Sequence, residues 1–428
     1  LAKAIETVIK GGALVDATGT RRADVVFADG KVVAVGSDLD AKNVIDATGC
    51  IVAPGLVDLH THLRQPGREE AETIETGTRA AALGGFTAVV AMPNTEPPID
   101  TAEMVRDVRA MADRVASCRV YPAGAITVGR KGEQLAPMAE MAAAGVHLFT
   151  DDGSGVQDGG VMRRALEYAK GLGVTLAQHC EDNALAAGGA MHEGAWSSRL
   201  GIPGQPSSAE TAMVLRDLEL CRLTGAPIHF LHLSTADSLA AVAAARAAGL
   251  PVTAEVAPHH FTLTDACCCD YDAVYRVNPP LRTDADVAAV KAALRDGTVD
   301  AIATDHAPHA PELKEMPFDQ APPGMLGLET ALALALNELD LPIEQVLAYL
   351  SWQPAKIAGI AESQGGPITA GVNAHLCVID PTAEWVVDGR ALASKSRNTP
   401  YEGRKLTGRV RHTIYKGEPT VLDGEAQR

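Results

Sequence analysis

His60 and His62 stand one residue apart at the end of an apolar run, Ile51-Val-Ala-Pro-Gly-Leu-Val-Asp-Leu-His60-Thr-His62. The run reads as a buried strand. Side chains at i and i+2 of a strand share a face, so both imidazoles are expected to converge on one point, as a metal ion requires. Arg64 follows two residues later and carries a fixed guanidinium able to fork onto a carboxylate beside that metal. The combination points to water activated on a metal and applied to an anionic substrate.

The same pattern recurs along the chain. Asn94, Asp151-Asp152, His179, His232, His259-His260 and the group Asp305, His306 and His309 each follow an apolar run. A single histidine on an apolar strand is usually a satisfied core residue, but that bland reading does not explain the repetition. Nitrogen and carboxylate donors without thiolate suit zinc or a similar divalent ion with positions left open for water. The donors exceed what one ion needs, which permits two ions bridged by a carboxylate from the fourth run, where spacing alone leaves Asp151 and Asp152 as alternatives. Metal binding lowers the proton affinity of water, giving a hydroxide nucleophile near neutral pH, and Asp305 could accept its proton and return it to a leaving nitrogen.

Arg64 and Asn94 suit a substrate better than a metal, Arg64 toward a carboxylate and Asn94 toward an amide or carboxylate. A structural ion pair is the bland alternative for Arg64. Asn278, before Pro279-Pro280, and the Pro322-Pro323-Gly324 turn flank the last runs and offer polar or backbone contacts, although taken alone both are ordinary loop residues.

The positioning elements follow from the alternation. Apolar runs of strand length recur at 51–59, 87–92, 120–126, 146–149, 174–177, 228–231, 252–256 and 299–303. Ala-rich charged stretches with helical spacing at 70–83, 101–116, 138–144, 162–170, 208–222, 237–248 and 286–294 separate most of them. Strands alternating with helices predict an α/β fold, a (β/α)8 TIM-like barrel whose working groups lie at the C-terminal strand ends. A doubly wound open sheet is the alternative, but it would not gather all the strand ends around one axis. Short strand-like bursts with hairpin turns mark 5–52 and return near the end, around 374–380, 385–389 and 409–417. The expected organisation is therefore a composite β-sandwich domain from 1–52 plus 372–428, enclosing a barrel over 53–371.

Composition narrows the function. A chain of 428 residues with net charge −17 opposes general affinity for nucleic acid or acidic membranes. It has neither a signal-like start nor an apolar run long enough to span a bilayer, so the expected location is the cytoplasm. The eight cysteines lack zinc-ribbon or disulfide spacing, and Cys267-Cys268-Cys269 reads as a connection rather than a chelate.

Two segments, Asp58-Leu-His-Thr-His-Leu-Arg64-Gln-Pro-Gly and Ala303-Thr-Asp-His-Ala-Pro-His309-Ala-Pro-Glu-Leu-Lys314, resemble the signatures of dihydroorotases in the amidohydrolase superfamily. Met92-Pro-Asn94-Thr, Phe149-Thr-Asp-Asp-Gly153, Gln178-His-Cys-Glu181, His232-Leu-Ser, Asn278-Pro-Pro-Leu-Arg282 and Gly324-Met-Leu-Gly-Leu-Glu-Thr330 follow in the family's order. The resemblance is to the class I bacterial type, in which an aspartate replaces the carboxylated lysine that bridges two metals in related enzymes. It implies His60, His62, Asp152, His179, His232 and Asp305 as ligands of one or two Zn2+ per subunit. It also implies Arg64, Asn94, Asn278, His309 and backbone near Pro323 and Gly324 as substrate contacts, with Asp305 as the proton carrier. His147, His229, His259 and His306 would be supporting residues. The implied reaction is reversible opening of L-dihydroorotate to N-carbamoyl-L-aspartate, the third step of de novo pyrimidine synthesis. A homo-oligomer, with aspartate transcarbamoylase as a partner, is the implied assembly. The stretch 310–327, rich in Pro and Gly, is expected to cover the pocket. The rival readings are another cyclic amidase (hydantoinase, dihydropyrimidinase or allantoinase) and a non-catalytic scaffold for the transcarbamoylase.

Overall fold

The computed structural model describes residues 6–428. Among them, eight parallel strands follow one another around a ring: Leu56–Thr61, Phe86–Ala91, Arg119–Pro122, Leu148–Phe149, Thr175–Gln178, Ile228–Phe230, Val252–Val256 and Ala301–Ile302. The first three pair in order, as do the last five. Parallel bridges between Gly124 and Phe149 and between Thr61 and His306 join the two sets at both seams, so the barrel closes. A helix follows each strand, as the alternation predicted.

Local sequence sets the helix ends. Thr73, Thr101, Asp158, Thr235 and Thr283 each accept a hydrogen bond from a first-turn N–H, supplying a partner the helix cannot give itself. Apolar residues then separate onto two faces of the strands. Leu56, Phe86, Val89 and Ile228 pack outward against helix residues such as Ile74, Val105 and Val214. Val57, Leu59, Val90 and the small residues Ala88, Ala123, Ala177 and Ala301 fill the interior, together with Ala355, Ala358 and Ile360. The short interior side chains leave room for those last three residues inside the ring.

Both chain ends build β-structure outside the barrel. Lys31–Gly36, Asp24–Ala28, Thr7–Lys10 and Asn43–Asp46 form one sheet in that order. In a second, seven-stranded sheet, Ile51–Pro54 lies between Leu376–Val386 and Ala13–Asp16. Ile9, Val25 and Phe27 of the first sheet and Leu14, Val52, Val378 and Ile414 of the second share one buried cluster.

Two strand expectations need correction. The run 51–59 is not one strand: it divides at Gly55, with Ile51–Pro54 joining the terminal sheet and Leu56–Thr61 opening the barrel. A Cβ at Gly55 would lie 2.1 Å from Thr87 Oγ1, so the backbone passes where no side chain fits. Near the C-terminus, the two bursts expected around 374–380 and 385–389 merge into Leu376–Val386, whose pairing shifts register between Asp380 and Glu384. No helix among the described residues is long and apolar enough to cross a membrane.

Candidate active site

The C-terminal strand ends bring the ligand candidates together. His60 and His62 come from the first strand, Asp152 follows the fourth, His179 the fifth, His232 the sixth and Asp305 the eighth, and all are buried. Asp152 lies at the centre. Its Oδ1 is 3.3 Å from His60 Nε2, 3.4 Å from His179 Nδ1 and 3.6 Å from His232 Nε2, while Oδ2 is 3.6 Å from His62 Nε2. Asp305 Oδ1 lies on the other side, 3.1 Å from His62 Nε2 and 3.5 Å from His60 Nε2. Asp151 points elsewhere: its carboxylate accepts the N–H groups of Ile126 and Thr127 and the Thr127 hydroxyl.

Simple alternation does not deliver His60. Val57 and Leu59 belong to the barrel interior, so a regular strand would turn His60 outward. Pairing with the second strand shifts register between Asp58 and Thr61, and there His60 turns into the mouth. Arg64, His232 and Asp305 adopt left-handed backbone at φ 59, 32 and 47°. Such conformations disfavour side chains with a Cβ and cluster where geometry serves a site.

A further layer fixes the ring tautomers. His60 Nδ1 donates to Glu255 Oε1 at 3.1 Å, and the other Glu255 oxygen is 3.1 Å from His229 Nε2. His62 Nδ1 lies 2.9 Å from Asn94 Oδ1 and donates to it. With Nδ1 engaged in both residues, Nε2 is the ring nitrogen turned toward the carboxylates, where it carries a proton or serves a metal in its place. His306 bridges Glu72 and the N–H of Gly327, and His259 is buried with Nε2 unpartnered. His147 is exposed beside Tyr121 and takes no part. Sequence reading missed Glu255. Its signal was a charged residue inside the apolar strand Val252–Val256, where only a buried partner makes it tolerable.

A cavity of about 210 Å³ opens onto these groups. Arg64, Asn94, Asn278, His309, Pro323 and Gly324 line it, as does Arg68, which sequence reading also missed. Arg64 Nε donates to Pro308 O at 3.0 Å, which aims the rest of the guanidinium. His309 Nε2 lies 2.8 Å from Pro323 O and 3.3 Å from Arg64 Nη2, so its tautomer selects one partner. Burial, then Arg64, bring the His309 pKa down to about 2, so its ring is neutral. Gly324 N donates to Arg276 O and Gly324 O accepts from Lys314 and Asn398. With both backbone groups engaged, Gly324 contributes space: a Cβ there would lie 2.8 Å from His309 Nε2. A larger cavity, about 760 Å³, lies beside Trp385 and Arg409 and contains none of the ligand candidates.

The donor set fits a divalent cation. Ligand atoms of His60, Asp152 and His232 lie within 4.8 Å of one another, and so do those of His60, His62 and Asp305. His60 Nε2, His179 Nε2 and His232 Nδ1 are buried without a hydrogen-bond partner, which is costly unless something else completes them. Burial favours neutral His60 and His179, yet Asp152 and its fellow carboxylates pull His60 well above the ordinary imidazole value and His179 up to about 9. The same carboxylates can hold a cation in place of those protons.

Nearly the whole chain superposes on solved hydantoinase structures. L-Hydantoinase (dihydropyrimidinase) from Arthrobacter aurescens matches with a TM-score of 0.90 at 25% identity, covering 99% of this chain and 98% of that one. D-Hydantoinase (dihydropyrimidinase) from Thermus sp. matches with a TM-score of 0.85 at 27% identity, covering 98% and 96%. The fold is therefore that of the amidohydrolase-type enzymes, a TIM-like barrel with a β-sandwich. The profile of a family described as Dihydro-orotase-like matches residues 49–238. Proteins named dihydroorotase from Pelotomaculum thermopropionicum and Mycobacterium tuberculosis are 48% and 47% identical, each over 94% of this chain and over 95% and 96% of their own lengths. The Streptomyces coelicolor dihydroorotase is 47% identical over 98% of this chain and 99% of its own length. This chain belongs to the dihydroorotase family.

Proposed function

We propose that this chain catalyses reversible hydrolysis of the cyclic amide of L-dihydroorotate to N-carbamoyl-L-aspartate, using one or two zinc ions. His60, His62, Asp152, His179, His232 and Asp305 would hold the metal, and the Asp152 carboxylate could be shared if two ions were bound. The observation that carries the reading is the Asp152 carboxylate among four imidazoles, three of which keep an unpartnered buried nitrogen. When bound, the metal supplies Lewis acidity, lowering the proton affinity of water and polarising the ring carbonyl.

The chain's own groups do the rest. Arg64 pairs with the substrate carboxylate, and Asn94, its Oδ1 bonded to His62, keeps its NH2 group for the substrate. Asn278 Oδ1, buried without a partner, accepts a ring N–H. His309 and Pro323 O close the opposite wall. Burial raises the Asp305 pKa, but His60 and His62 hold it below the ordinary carboxylate value, so Asp305 is ionised and ready to accept a proton. It takes that proton from the attacking water and gives it to the departing ring nitrogen as the C–N bond breaks. In the reverse direction the same carboxylate takes the proton from the nitrogen that closes the ring, and water leaves.

Metal analysis of the purified protein, together with dihydroorotate turnover for wild type and Asp305→Ala, tests this. The expected result is bound divalent metal, active wild type, and an inactive variant of unchanged fold. Full activity in the variant removes Asp305 from the mechanism. The hydantoinase likeness favours one rival, so hydantoin is assayed in parallel, and preference for it would replace the substrate reading. Association with aspartate transcarbamoylase and self-association rest on the family resemblance, and co-purification with size analysis tests both. The expected division, a β-sandwich from 1–52 plus 372–428 and a barrel over 53–371, belongs to the same proposal, with residues 1–5 outside the described residues and the first boundary moved to Gly55, where Ile51–Pro54 leaves the terminal sheet.

A further inference from the structure

Lys314 ends the second signature segment, yet the mechanism above gives it no task. It ends the short helix Pro311–Lys314 and is half-buried. Its ammonium goes to three main-chain carbonyls rather than to a carboxylate: Arg276 O at 3.2 Å, Pro322 O at 3.0 Å and Gly324 O at 3.1 Å. These acceptors belong to two separate segments of the pocket wall. Arg276 is two residues before Asn278, while Pro322 and Gly324 flank Pro323, whose carbonyl meets His309. Gly324 N also donates to Arg276 O at 2.9 Å, and Arg276 Nη1 donates to Phe318 O at 2.8 Å, so the two segments are tied together around this one cation.

We infer that Lys314 is a positioning residue: by donating to all three carbonyls it sets the distance between the Asn278 wall and the Pro323 wall, and so the fit of the anionic substrate. The inference rests on the reading of the pocket under "Proposed function". An ammonium has three hydrogens and here meets three acceptors, whereas a neutral amine has two hydrogens and leaves one carbonyl unpaired. Burial, then the nearby Arg276, bring the Lys314 pKa down to about 7, and the three carbonyls are matched in number only by the protonated form. No metal-ligand candidate touches the ammonium. Its removal should therefore loosen substrate binding and leave the metal in place.

The test compares metal-loaded wild type, Lys314→Met and Lys314→Arg in steady-state opening of dihydroorotate, with metal content and thermal melting measured on the same samples. In Lys314→Met, KM is expected to rise roughly ten- to a hundredfold with kcat changed by less than about threefold, the signature of lost uniform binding. Metal content should be unchanged. An unchanged KM, or a fall in kcat and metal content at constant KM, overturns the inference. Should the methionine variant fail to fold, Lys314→Arg is decisive. It keeps the charge but presents a planar fork to acceptors grouped around an ammonium, so raised KM supports the inference and wild-type KM overturns it. Wild type that does not open dihydroorotate would end the functional reading instead, so the two failures are distinguishable.

Discussion

Asp152 in the barrel mouth and Asp16 in the terminal sheet are both buried carboxylates with several partners, but the partners differ in kind. Asp16 meets only donors: Thr18 N and Oγ1 at 2.8 and 2.6 Å, both Nη atoms of Arg21 at 3.2 and 2.9 Å, and Ile368 N at 2.9 Å. Asp152 meets four imidazoles at 3.3–3.6 Å whose ring nitrogens are in part unpartnered. Completed hydrogen bonding stabilises a fold. Buried nitrogens left open around a carboxylate weaken it until a ligand completes them.

The sharpest way to break this contrast is Asp152→Asn, which keeps the shape and removes the charge. Metal content is expected to fall and turnover to drop about a thousandfold or more, the scale of several kcal/mol at about 1.4 kcal/mol per tenfold. Elemental analysis and the dihydroorotate assay measure both. Chelation should lower the melting temperature of wild type, because a ligand bound only by the native state stabilises it, and should barely move that of the variant. A variant that keeps metal and rate would show that Asp152 is another Asp16, a structural carboxylate.

Glu255→Gln probes the layer beneath. The amide oxygen can still accept from His60, but the negative charge between His60 and His229 is gone. Metal affinity is expected to weaken roughly ten- to a hundredfold, with turnover recovering at saturating metal. Metal titration followed by activity checks it, and unchanged affinity would mean that Glu255 merely satisfies two buried rings.

How much of this was legible in the sequence depended on whether a feature is local. Strand–helix alternation and the groups at strand ends follow from hydrophobic period and residue type, and both led to the barrel and its mouth. The break at Gly55 was not legible, because it depends on the close approach of Thr87, which only the folded sheet brings there. Asp151 and Asp152 looked equivalent because their separation lies in contacts with the loop around Ile126 and Thr127. Arg68, exposed in a polar stretch, carries no local mark of lining a cavity. Gly324 was read as a backbone contact, yet three distant residues, Arg276, Lys314 and Asn398, occupy its backbone groups.

The smallest expected effect lies at the other pole of the comparison. Burial pushes the Asp16 carboxyl up, but Arg21, Thr18 and Ile368 N–H more than offset this and hold its pKa below the ordinary carboxylate value. A carboxylate with a lowered folded-state pKa contributes stability that is fully present above its unfolded value, about pH 4, and is lost as pH falls through the folded value. Asp16→Asn should therefore cost about 1–2 kcal/mol in denaturant unfolding at neutral pH, the scale of hydrogen bonds to a charged group. The deficit should shrink as pH falls from about 4 through the lower folded-state value, beneath which the wild-type carboxyl is also neutralised. Metal content and turnover should match wild type, since Asp16 bonds only to the terminal strands and the segment at Ile368. A stability deficit that stays constant from neutral to acid pH would mean that packing, rather than the charge of Asp16, holds this corner of the sheet.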